Sequence, residues 1–321
     1  MQPLSPAPPM PVCTTLEDTF RYMKACTERG VPGILRIKGK KKGKSVQLMT
    51  ALTHGCEVTG LAAFRHILNH REEIEKKLEG ELLLIINNIR AAENFFTKPL
   101  HESAVLWHWC DTNMNRLPKE VLSGNSVAYE IQRFKELYPW YQEATAALDI
   151  HSLPKKGIPM VIDIKGPKGK LDLLAGHIPV PVRIQNVVKI QRGVPVGYFY
   201  GGKNSAVIEI EVGKHLEKRA GLVAIESAMH FLFPGKKHTQ KIFEVFKALC
   251  FPDISYRLPK LFANYERVRK GQLLATNKTE SILASEDCIT LFTRTKKFYT
   301  DPVNLETEIL FLARKKRSKP K

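Results

Sequence analysis

A histidine and a glutamate in the stretch ALTHGCEVTG, residues 51–60, have the residue types and the spacing of metal ligands. His54 and Glu57 lie three residues apart, directly after an apolar run. A neutral imidazole and a carboxylate suit Zn²⁺, which binds nitrogen and oxygen donors at about 2.0 to 2.2 Å. Gly55, between them, permits a sharp turn and the close approach of a ligand. This pair predicts part of a zinc site, and a catalytic zinc site usually needs a third protein ligand.

A second His-x-x-Glu pair, His70 and Glu73, needs a different interpretation. It lies in NHREEIEKKLE, where lysines and arginines can pair with the glutamates on a helix surface. We interpret this pair as a solvent-exposed helix face. Cys56 adjoins the first pair and could add a thiolate ligand, although a residue beside two better ligands more often points elsewhere.

His151, in ALDIHS, is the candidate for the third ligand. It ends an apolar segment, and functional residues of open α/β sheets collect at the carboxyl ends of strands. Asp149 faces the same side of the strand, where it could hold the ring nitrogen that does not bind the metal. The alternative is a hydrogen-bonded core histidine. The presence of His54 and Glu57 at another strand end favours the metal site.

Two further segments supply groups for substrate chemistry. VIEIEVG carries Glu209 and Glu211 on an otherwise apolar strand, where a carboxylate is costly unless it is paired or used. Both side chains leave the same strand face, so alternation cannot choose between them as a general base. NMNRLP places Asn115 beside Arg116, and a guanidinium forks well onto a carboxylate.

The elements that would position these residues are apolar strands alternating with helices. In chain order, the sequence predicts a helix at 15–29, strands in GILRIKG and SVQLMTAL joined by a lysine-rich hairpin turn, a helix at 60–80 that ends at Gly80, a strand in ELLLIINN, a helix in SVAYEIQRFKELYPWYQEA, strands in ATAALDIHS, IPMVIDI and SAVIEIEVG, and a helix in KRAGLVAIESAMHFLF. This alternation predicts an α/β domain with a mixed, mostly parallel central sheet covered by helices.

The domain organisation follows from the lengths of the predicted strands and of the segments between them, which change near residue 262. From residue 262, short strands separated by turns predict a small C-terminal β module. The predicted organisation is a flexible proline-rich leader at 1–14, a catalytic domain at 15–261, the β module at 262–315 and a basic tail at 316–321.

Composition limits the compartment and the partners. No apolar run approaches the roughly 20 residues of a membrane-spanning helix, and the N-terminus lacks the pattern of a signal peptide. The six cysteines form no C-x-x-C pair and are expected as free thiols in a reducing compartment. We therefore expect a cytoplasmic protein with no membrane partner.

The net charge of +18 is concentrated in RIKGKKKGK at 36–44 and in RKKRSKPK at the end of the chain. Neither run is interleaved with aromatic residues, as a base-stacking surface would be. We expect solvated charge and no specific nucleic-acid partner, with a positive potential that attracts a small anionic substrate. The sequence leaves the oligomeric state open.

Four of these segments, in this order, resemble motifs of the succinylglutamate desuccinylase/aspartoacylase family. HGCEVTG resembles its metal motif H-G-x-E-x-x-G, NMNRLP its substrate-binding N-R segment, LDIHS its D-x-H metal motif and IEIEVG its E-x-G catalytic segment. RKGQLLAT and ITLF resemble its closing strands. The resemblance implies a zinc carboxypeptidase-like fold for the catalytic domain, followed by the small β module.

The resemblance also implies residue roles. One Zn²⁺ per chain would be bound by His54, Glu57 and His151. Glu211 would take a proton from the attacking water and return it to the leaving amine. Asn115 and Arg116 would hold a substrate carboxylate.

The chain departs from this family on the acyl-group side. Family members usually carry another arginine eight residues before the N-R arginine, and His108 stands at that position here. Arg90, in INNIRAAEN, could replace it by folding in. His108, Arg90 and Asp149 are therefore the candidates for polarising the carbonyl or supporting the ligands.

The function that these expectations predict is a zinc-dependent deacylase, an amidohydrolase acting on a carbon–nitrogen bond other than a peptide bond. Its substrate would be an N-acyl amino acid or a similar small amide that carries a carboxylate. One alternative is a zinc carboxypeptidase-like peptidase, which a wide, uncapped cleft would favour. The other is a non-catalytic binder, which the missing arginine favours and the intact ligand set opposes.

Overall fold

The computed structural model describes residues 13–97, 108–294 and 308–316. Residues 1–12 of the predicted leader, 295–307 of the predicted β module and 317–321 of the predicted tail lie outside the described residues. The backbone N–H of Cys13 donates to Asn69 Oδ1 at 3.2 Å, and Asn69 Nδ2 donates to the Cys13 carbonyl at 3.1 Å. Cys13 is buried, so the end of the predicted leader is anchored.

Strands and helices alternate along the first two thirds of the chain, and short strands predominate after them. The helices are α1 (Leu16–Ala25), α2 (Leu61–Asn69), α3 (Arg71–Lys77), α4 (Ile89–Thr97), α5 (Tyr129–Tyr141), α6 (Lys168–His177), α7 (Val187–Ile190) and α8 (Lys218–Leu232). The strands are β1 (Thr27–Glu28), β2 (Val31–Pro32), β3 (Ile34–Lys38), β4 (Lys41–Ala51), β5 (Glu79–Ile86), β6 (Ala146–Leu153), β7 (Met160–Lys165), β8 (Val182–Gln185), β9 (Ala206–Lys214), β10 (Lys241–Leu249), β11 (Arg267–Val268), β12 (Leu273–Thr276), β13 (Ser281–Leu283), β14 (Cys288–Leu291) and β15 (Leu310–Lys315). Short 3-10 helices lie at Val58–Gly60, Met114–Arg116 and Val196–Phe199. Among the described helices, none is both long enough and apolar enough to cross a membrane.

The chain divides into two compact units, and the first, Met1–Val182 with Gly193–Gln240, carries all the predicted site residues. Its strands lie in the order β7-β9-β6-β4-β5-β3. The four middle strands are parallel to one another, while β3 and β7 are antiparallel to their neighbours. Helices α2 and α8 pack together over buried strand residues such as Met49 and Leu148. The predicted α/β fold with a mixed, mostly parallel sheet is confirmed.

Two local expectations are wrong, one about the pairing of β3 with β4 and one about the helix that was predicted to end at Gly80. β3 and β4 do not form a hairpin, since both pair with β5 and not with each other. The helix predicted at 60–80 is two helices, and Gly80 lies inside β5 with φ +82°. A Cβ at Gly80 would lie 2.2 Å from the Ser45 carbonyl oxygen, so close approach of β4 explains the glycine.

The second unit comprises Arg183–Arg192 and Lys241–Lys321. In its described part, β10 pairs with β15, β15 with β14 and β14 with β11, all antiparallel, and β12 and β13 form a separate pair. It has its own apolar core, which includes Phe251, Leu274 and Leu310. Its described part is rich in strands, and the unit includes Arg183–Arg192 and residues 241–261 in addition to the residues of the predicted β module.

Candidate active site

The two strand ends that carry the predicted ligands are neighbours in the sheet. β4 and β6 pair in parallel, so the residues at their carboxyl ends meet at one sheet edge. His54 and Glu57 lie in the turn after β4, and His151 lies near the end of β6. Gly55 is required in this turn, because an added Cβ would lie 2.2 Å from the Ala91 carbonyl carbon.

Glu57 lies between the two histidines. Its Oε1 is 2.8 Å from His54 Nδ1, and its Oε2 is 2.8 Å from His151 Nδ1. All three side chains are buried, and the two imidazole planes are inclined at 66°. Two ring nitrogens and a carboxylate that converge in this way form a donor set that Zn²⁺ prefers.

The proximity of ligand atoms alone suggests a wider set of donors. Within the described residues, three ligand atoms come within 4.8 Å of one another in two groups, His54 with Glu57 and His108, and Asp149 with His151 and Glu209. The predicted ligands are thus divided between two groups that Glu57 connects. His108, however, stacks on His54 with ring centroids 3.9 Å apart and planes at 12°. Imidazole lone pairs lie in the ring plane, so two stacked rings do not direct nitrogens at one ion, and the inclined pair His54 and His151 fits better.

Oxygen atoms hold the other ring nitrogen of each histidine. His54 Nε2 lies 3.0 Å from Asn113 Oδ1, and His151 Nε2 lies 3.2 Å from Asp149 Oδ2. An oxygen at Nε2 fixes the orientation and the tautomer of the ring, which leaves Nδ1 to face a ligand. Asn113 was not singled out from the sequence, although it lies in the quoted segment NMNRLP.

A buried network of hydrogen bonds holds the carboxylate of Asp149. Its Oδ1 accepts hydrogen bonds from the hydroxyls of Thr50 at 2.7 Å and Thr53 at 3.1 Å. Asn87 Nδ2 donates to Thr53 Oγ1 at 2.7 Å and to the Tyr200 hydroxyl at 2.9 Å. Because buried polar groups are costly to leave unpaired, this network holds Asp149 in one position.

The charges of the cluster favour a bound cation. Burial would raise the pKa of Glu57, but the neighbouring His54 and His151 outweigh burial and hold this pKa well below its usual value. Burial would lower the pKa of His151, but Glu209 and Asp149 keep it well above its usual value. Burial raises the pKa of Glu209, against the opposing effect of His151. Three buried carboxylates, Glu57, Asp149 and Glu209, therefore surround His151, and a cation bound here would balance their negative charge.

The two candidate bases stand side by side on β9. In the parallel pairing with β6, Glu209 lies opposite Asp149 and Glu211 opposite His151. Both glutamates are buried. Glu209 Oε2 accepts a hydrogen bond of 3.4 Å from Asn115 Nδ2. Both carboxylates therefore belong to this edge of the sheet, with Glu211 nearer the carboxyl end of the strand.

The three predicted arginine and histidine candidates on the substrate side have different surroundings. Arg116 is half-buried and donates from Nη1 to the Asn115 carbonyl at 2.6 Å. Arg90 is exposed, with its guanidinium 4.1 Å from the centre of the Tyr129 ring. His108 Nδ1 lies 3.2 Å from Cys56 Sγ, so the Cys56 thiol is directed to His108.

Sequence reasoning missed Glu130, a fully buried carboxylate on α5 that holds the loop before Asn115. It accepts hydrogen bonds of 2.5, 3.0 and 3.1 Å from the backbone N–H groups of Cys110, Asp111 and Thr112. Asn88 Nδ2 donates to the same carboxylate at 3.0 Å. In SVAYEIQRF nothing marks this glutamate, because acidic residues of amphipathic helices normally face solvent.

The second His-x-x-Glu pair lies apart from these residues. His70 and Glu73 are exposed, and together with His66 and Phe233 they line a separate cavity of about 180 Å³. His70 Nδ1 lies 2.9 Å from the His66 carbonyl oxygen. These surroundings agree with a solvated helix face.

Solved structures of deacylases share this fold. Succinylglutamate desuccinylase from Vibrio parahaemolyticus matches with a TM-score of 0.69 and 14% identity, over 90% of this chain and 87% of that one. The enzyme of the same name from Vibrio cholerae matches with a TM-score of 0.67 and 12% identity, over 94% of both chains. Murine aminoacylase 3 matches with a TM-score of 0.59 and 16% identity, over 86% of this chain and 97% of that one. No protein-family model and no curated protein matches the sequence. At identities this low, the structural similarity establishes the fold alone, and it confirms the resemblance at that level.

Proposed function

We propose that this chain is a zinc-dependent amidohydrolase that removes the acyl group from an N-acyl amino acid or a similar small amide carrying a carboxylate. The observation that carries the proposal is the pair of histidine Nδ1 atoms placed on the two oxygens of one buried carboxylate, at 2.8 Å each. The names of the proteins that share the fold, desuccinylase and aminoacylase, support an acyl-transfer reaction.

The ligands in this proposal are His54, Glu57 and His151, with one zinc ion per chain. The donor set fits zinc, since two imidazole nitrogens and a carboxylate converge in a buried place. Zinc in this position would supply a Lewis acid that polarises a carbonyl and lowers the pKa of water to about 7. Asp149 and Asn113 hold the Nε2 atoms of the two histidines and so keep their Nδ1 atoms in place.

Proton transfer is assigned to Glu211. It takes a proton from the attacking water and gives it to the amine as the carbon–nitrogen bond breaks. Its position opposite His151 in the strand pairing supports this role. Glu209 lies one pleat further from the strand end and accepts a hydrogen bond from Asn115.

Recognition of the substrate carboxylate is assigned to Arg116 with Asn115. The planar guanidinium can hold a carboxylate by two parallel hydrogen bonds, and the amide beside it can add a third. For the polarisation of the scissile carbonyl we prefer His108 to Arg90, because the ring of His108 lies on His54 while the guanidinium of Arg90 lies on Tyr129.

A cytoplasmic location completes the proposal. All six cysteines are free thiols in the structure, as a reducing compartment would keep them.

The test begins with metal analysis of the purified protein, followed by a screen of N-succinyl and N-acetyl amino acids. We expect one zinc per chain and hydrolysis of at least one N-acyl amino acid, with dipeptides as the control substrates. Zinc with cleavage of dipeptides only would favour the peptidase alternative. Zinc with no hydrolysis of either class would favour the non-catalytic binder, and absence of bound zinc would overturn the proposal.

A further inference from the structure

We infer that His215 is a positioning residue that holds the ligand Glu57 in place through Ser152, an inference that rests on the proposed function. His215 Nδ1 lies 2.7 Å from Ser152 Oγ. The backbone N–H of Ser152 donates to Glu57 Oε2 at 3.0 Å. Neither His215 nor Ser152 was singled out from the sequence.

Ser152 is the link because it touches both ligand-bearing segments. It follows His151 directly in β6, and its N–H binds the same Glu57 oxygen that faces His151 Nδ1. Ser152 is 1% exposed. A shift of its backbone would therefore move a hydrogen bond of Glu57 and the chain position of His151 together.

The turn after β9 fixes His215 against Ser152. The backbone N–H of His215 donates to the Leu153 carbonyl at 2.9 Å, and that of Leu216 donates to Thr59 Oγ1 at 3.1 Å. Leu216 has φ +61°, a conformation that non-glycine residues seldom adopt. Strained backbone of this kind persists only where surrounding contacts impose it, and it clusters at functional sites.

These contacts join three strand ends that supply the site. Thr59 lies just after the turn that carries His54 and Glu57, Ser152 follows His151, and His215 follows Glu211 by four residues. Burial lowers the pKa of His215, against the opposing effect of Glu57, and a neutral ring can accept the hydroxyl proton of Ser152. The geometry of the hydrogen bonds carries the inference, and the protonation state agrees with it.

The competing explanation is that the ring of His215 only fills space. Two substitutions separate hydrogen bonding from volume. His215→Asn keeps a polar atom near the position of Nδ1, whereas His215→Phe keeps the ring volume and loses the bond. Ser152→Ala removes the hydroxyl and keeps the backbone N–H. His70→Phe, at an exposed histidine outside the site, is the matched control.

The experiment measures the dissociation constants of Zn²⁺ and Co²⁺ by competition with a chelator, together with the visible absorption of the Co²⁺ protein. We expect His215→Phe and Ser152→Ala each to weaken metal binding about 10-fold, the lower end of the effect of groups that support metal ligands. The double variant should be no weaker than either single one, because both changes cut the same link. His215→Asn should bind metal and absorb like the wild type.

The measured outcomes decide between the two explanations. Wild-type affinity and Co²⁺ absorption in His215→Phe would overturn the inference, as would an equal loss in His215→Asn and His215→Phe. If His215→Phe does not fold, Ser152→Ala and His215→Asn still decide the matter by the same two measurements. Retention of metal by His54→Ala would mean that the proposed zinc site itself is wrong. If His54→Ala loses the metal while His215→Phe binds it with wild-type affinity, only the inference about His215 is overturned.

Discussion

His54 and His70 each begin a His-x-x-Glu pair, yet only His54 has its ring against a buried carboxylate. We expect His54→Ala to lose bound zinc after dialysis, because one of three ligands is gone. His70→Ala should retain it, because His70 is exposed and its Glu73 is solvated. Metal content per chain is the measurement, and stoichiometric zinc in both variants would show that the ligand assignment is wrong.

Glu211 and Glu209 differ by one pleat of the same strand, and isosteric substitution can separate them. Glu211→Gln should keep zinc, because this residue is not a ligand, and should lower kcat by about 10² to 10⁴, the usual share of general acid–base catalysis. Glu209→Gln should lower kcat less. A Glu211→Gln enzyme with full zinc and near-normal kcat would remove Glu211 from the mechanism and leave Glu209 or the metal hydroxide alone as the base.

Arg116 offers a prediction about binding rather than turnover. Arg116→Lys keeps the charge and loses the planar fork, so the substrate carboxylate should bind more weakly by about 1 to 3 kcal/mol, the scale of charge-assisted hydrogen bonds. KM for the best anionic substrate is the measurement. An unchanged KM would remove Arg116 from carboxylate recognition.

The types and spacing of residues predicted which side chains gather, but not how they contact one another. His54, Glu57 and His151 could be found because each histidine ends an apolar run, and parallel strand ends meet at one edge. The stacking of His108 on His54 and the bond between Ser152 and His215 could not, since both depend on side-chain directions in turns. Glu130 was missed for another reason, since three of its four hydrogen-bond partners are backbone N–H groups, which carry no residue identity.

At the scale of secondary structure, Glu130 connects the first turn of α5 with the loop that precedes Asn115. Glu130→Gln replaces one acceptor oxygen by an NH₂ group that faces backbone N–H donors, so buried donors lose their partner at a cost of about 1 to 3 kcal/mol each. We expect a lower Tm and a raised KM, with metal affinity nearly unchanged. The control is Glu136→Gln on the same helix, whose side chain is 55% exposed. Equal Tm and KM in the two variants would show that the loop does not need this carboxylate.

The order of helices and strands was predictable where the sequence contains a long apolar run, as in β5, β6 and β9. The prediction was wrong where a strand pairs with a segment that is distant in the sequence. The lysine run has the composition of a hairpin turn, but the strand between β3 and β4 in the sheet is β5, which follows both of them in the chain, after α2 and α3. Gly80 is a residue type that often ends a helix, but here it lies in β5, where the absence of a Cβ lets the Ser45 carbonyl approach closely.

At the scale of the whole molecule, the net charge of +18 should act on encounter with substrate. Rising ionic strength screens this charge, because the Debye length falls from about 10 Å at 0.1 M to about 3 Å at 1 M. We expect kcat/KM for an anionic N-acyl amino acid to fall as salt increases, and kcat to change little. The corresponding neutral N-acyl amino acid amide is the control, and equal salt dependence for both would exclude electrostatic attraction of the substrate.

The sequence predicts a division of the chain at residue 262, and contacts divide the chain into two compact units. The change of local pattern near residue 262 marks the short strands and turns of β11 to β14, which are local features. β8 and β10 mix apolar and polar residues, and only contacts between distant residues assign most of β8 and all of β10 to the second unit. The sequence shows where the local pattern of strands and turns changes, whereas the boundary of a compact unit depends on contacts between distant residues.

The distance along the chain between the site residues has a consequence for biosynthesis. Glu57 meets His151 across 94 residues, and Thr50 meets Asp149 across 99. A chain leaving the ribosome therefore holds no complete ligand set until β6 has been made and has docked beside β4. Pairing of this range forms slowly, because loop closure must precede the contacts that reward it. In the proposed zinc site, metal binding therefore requires that β6 has docked beside β4, and a chain that stalls earlier has the separate side chains but no assembled site.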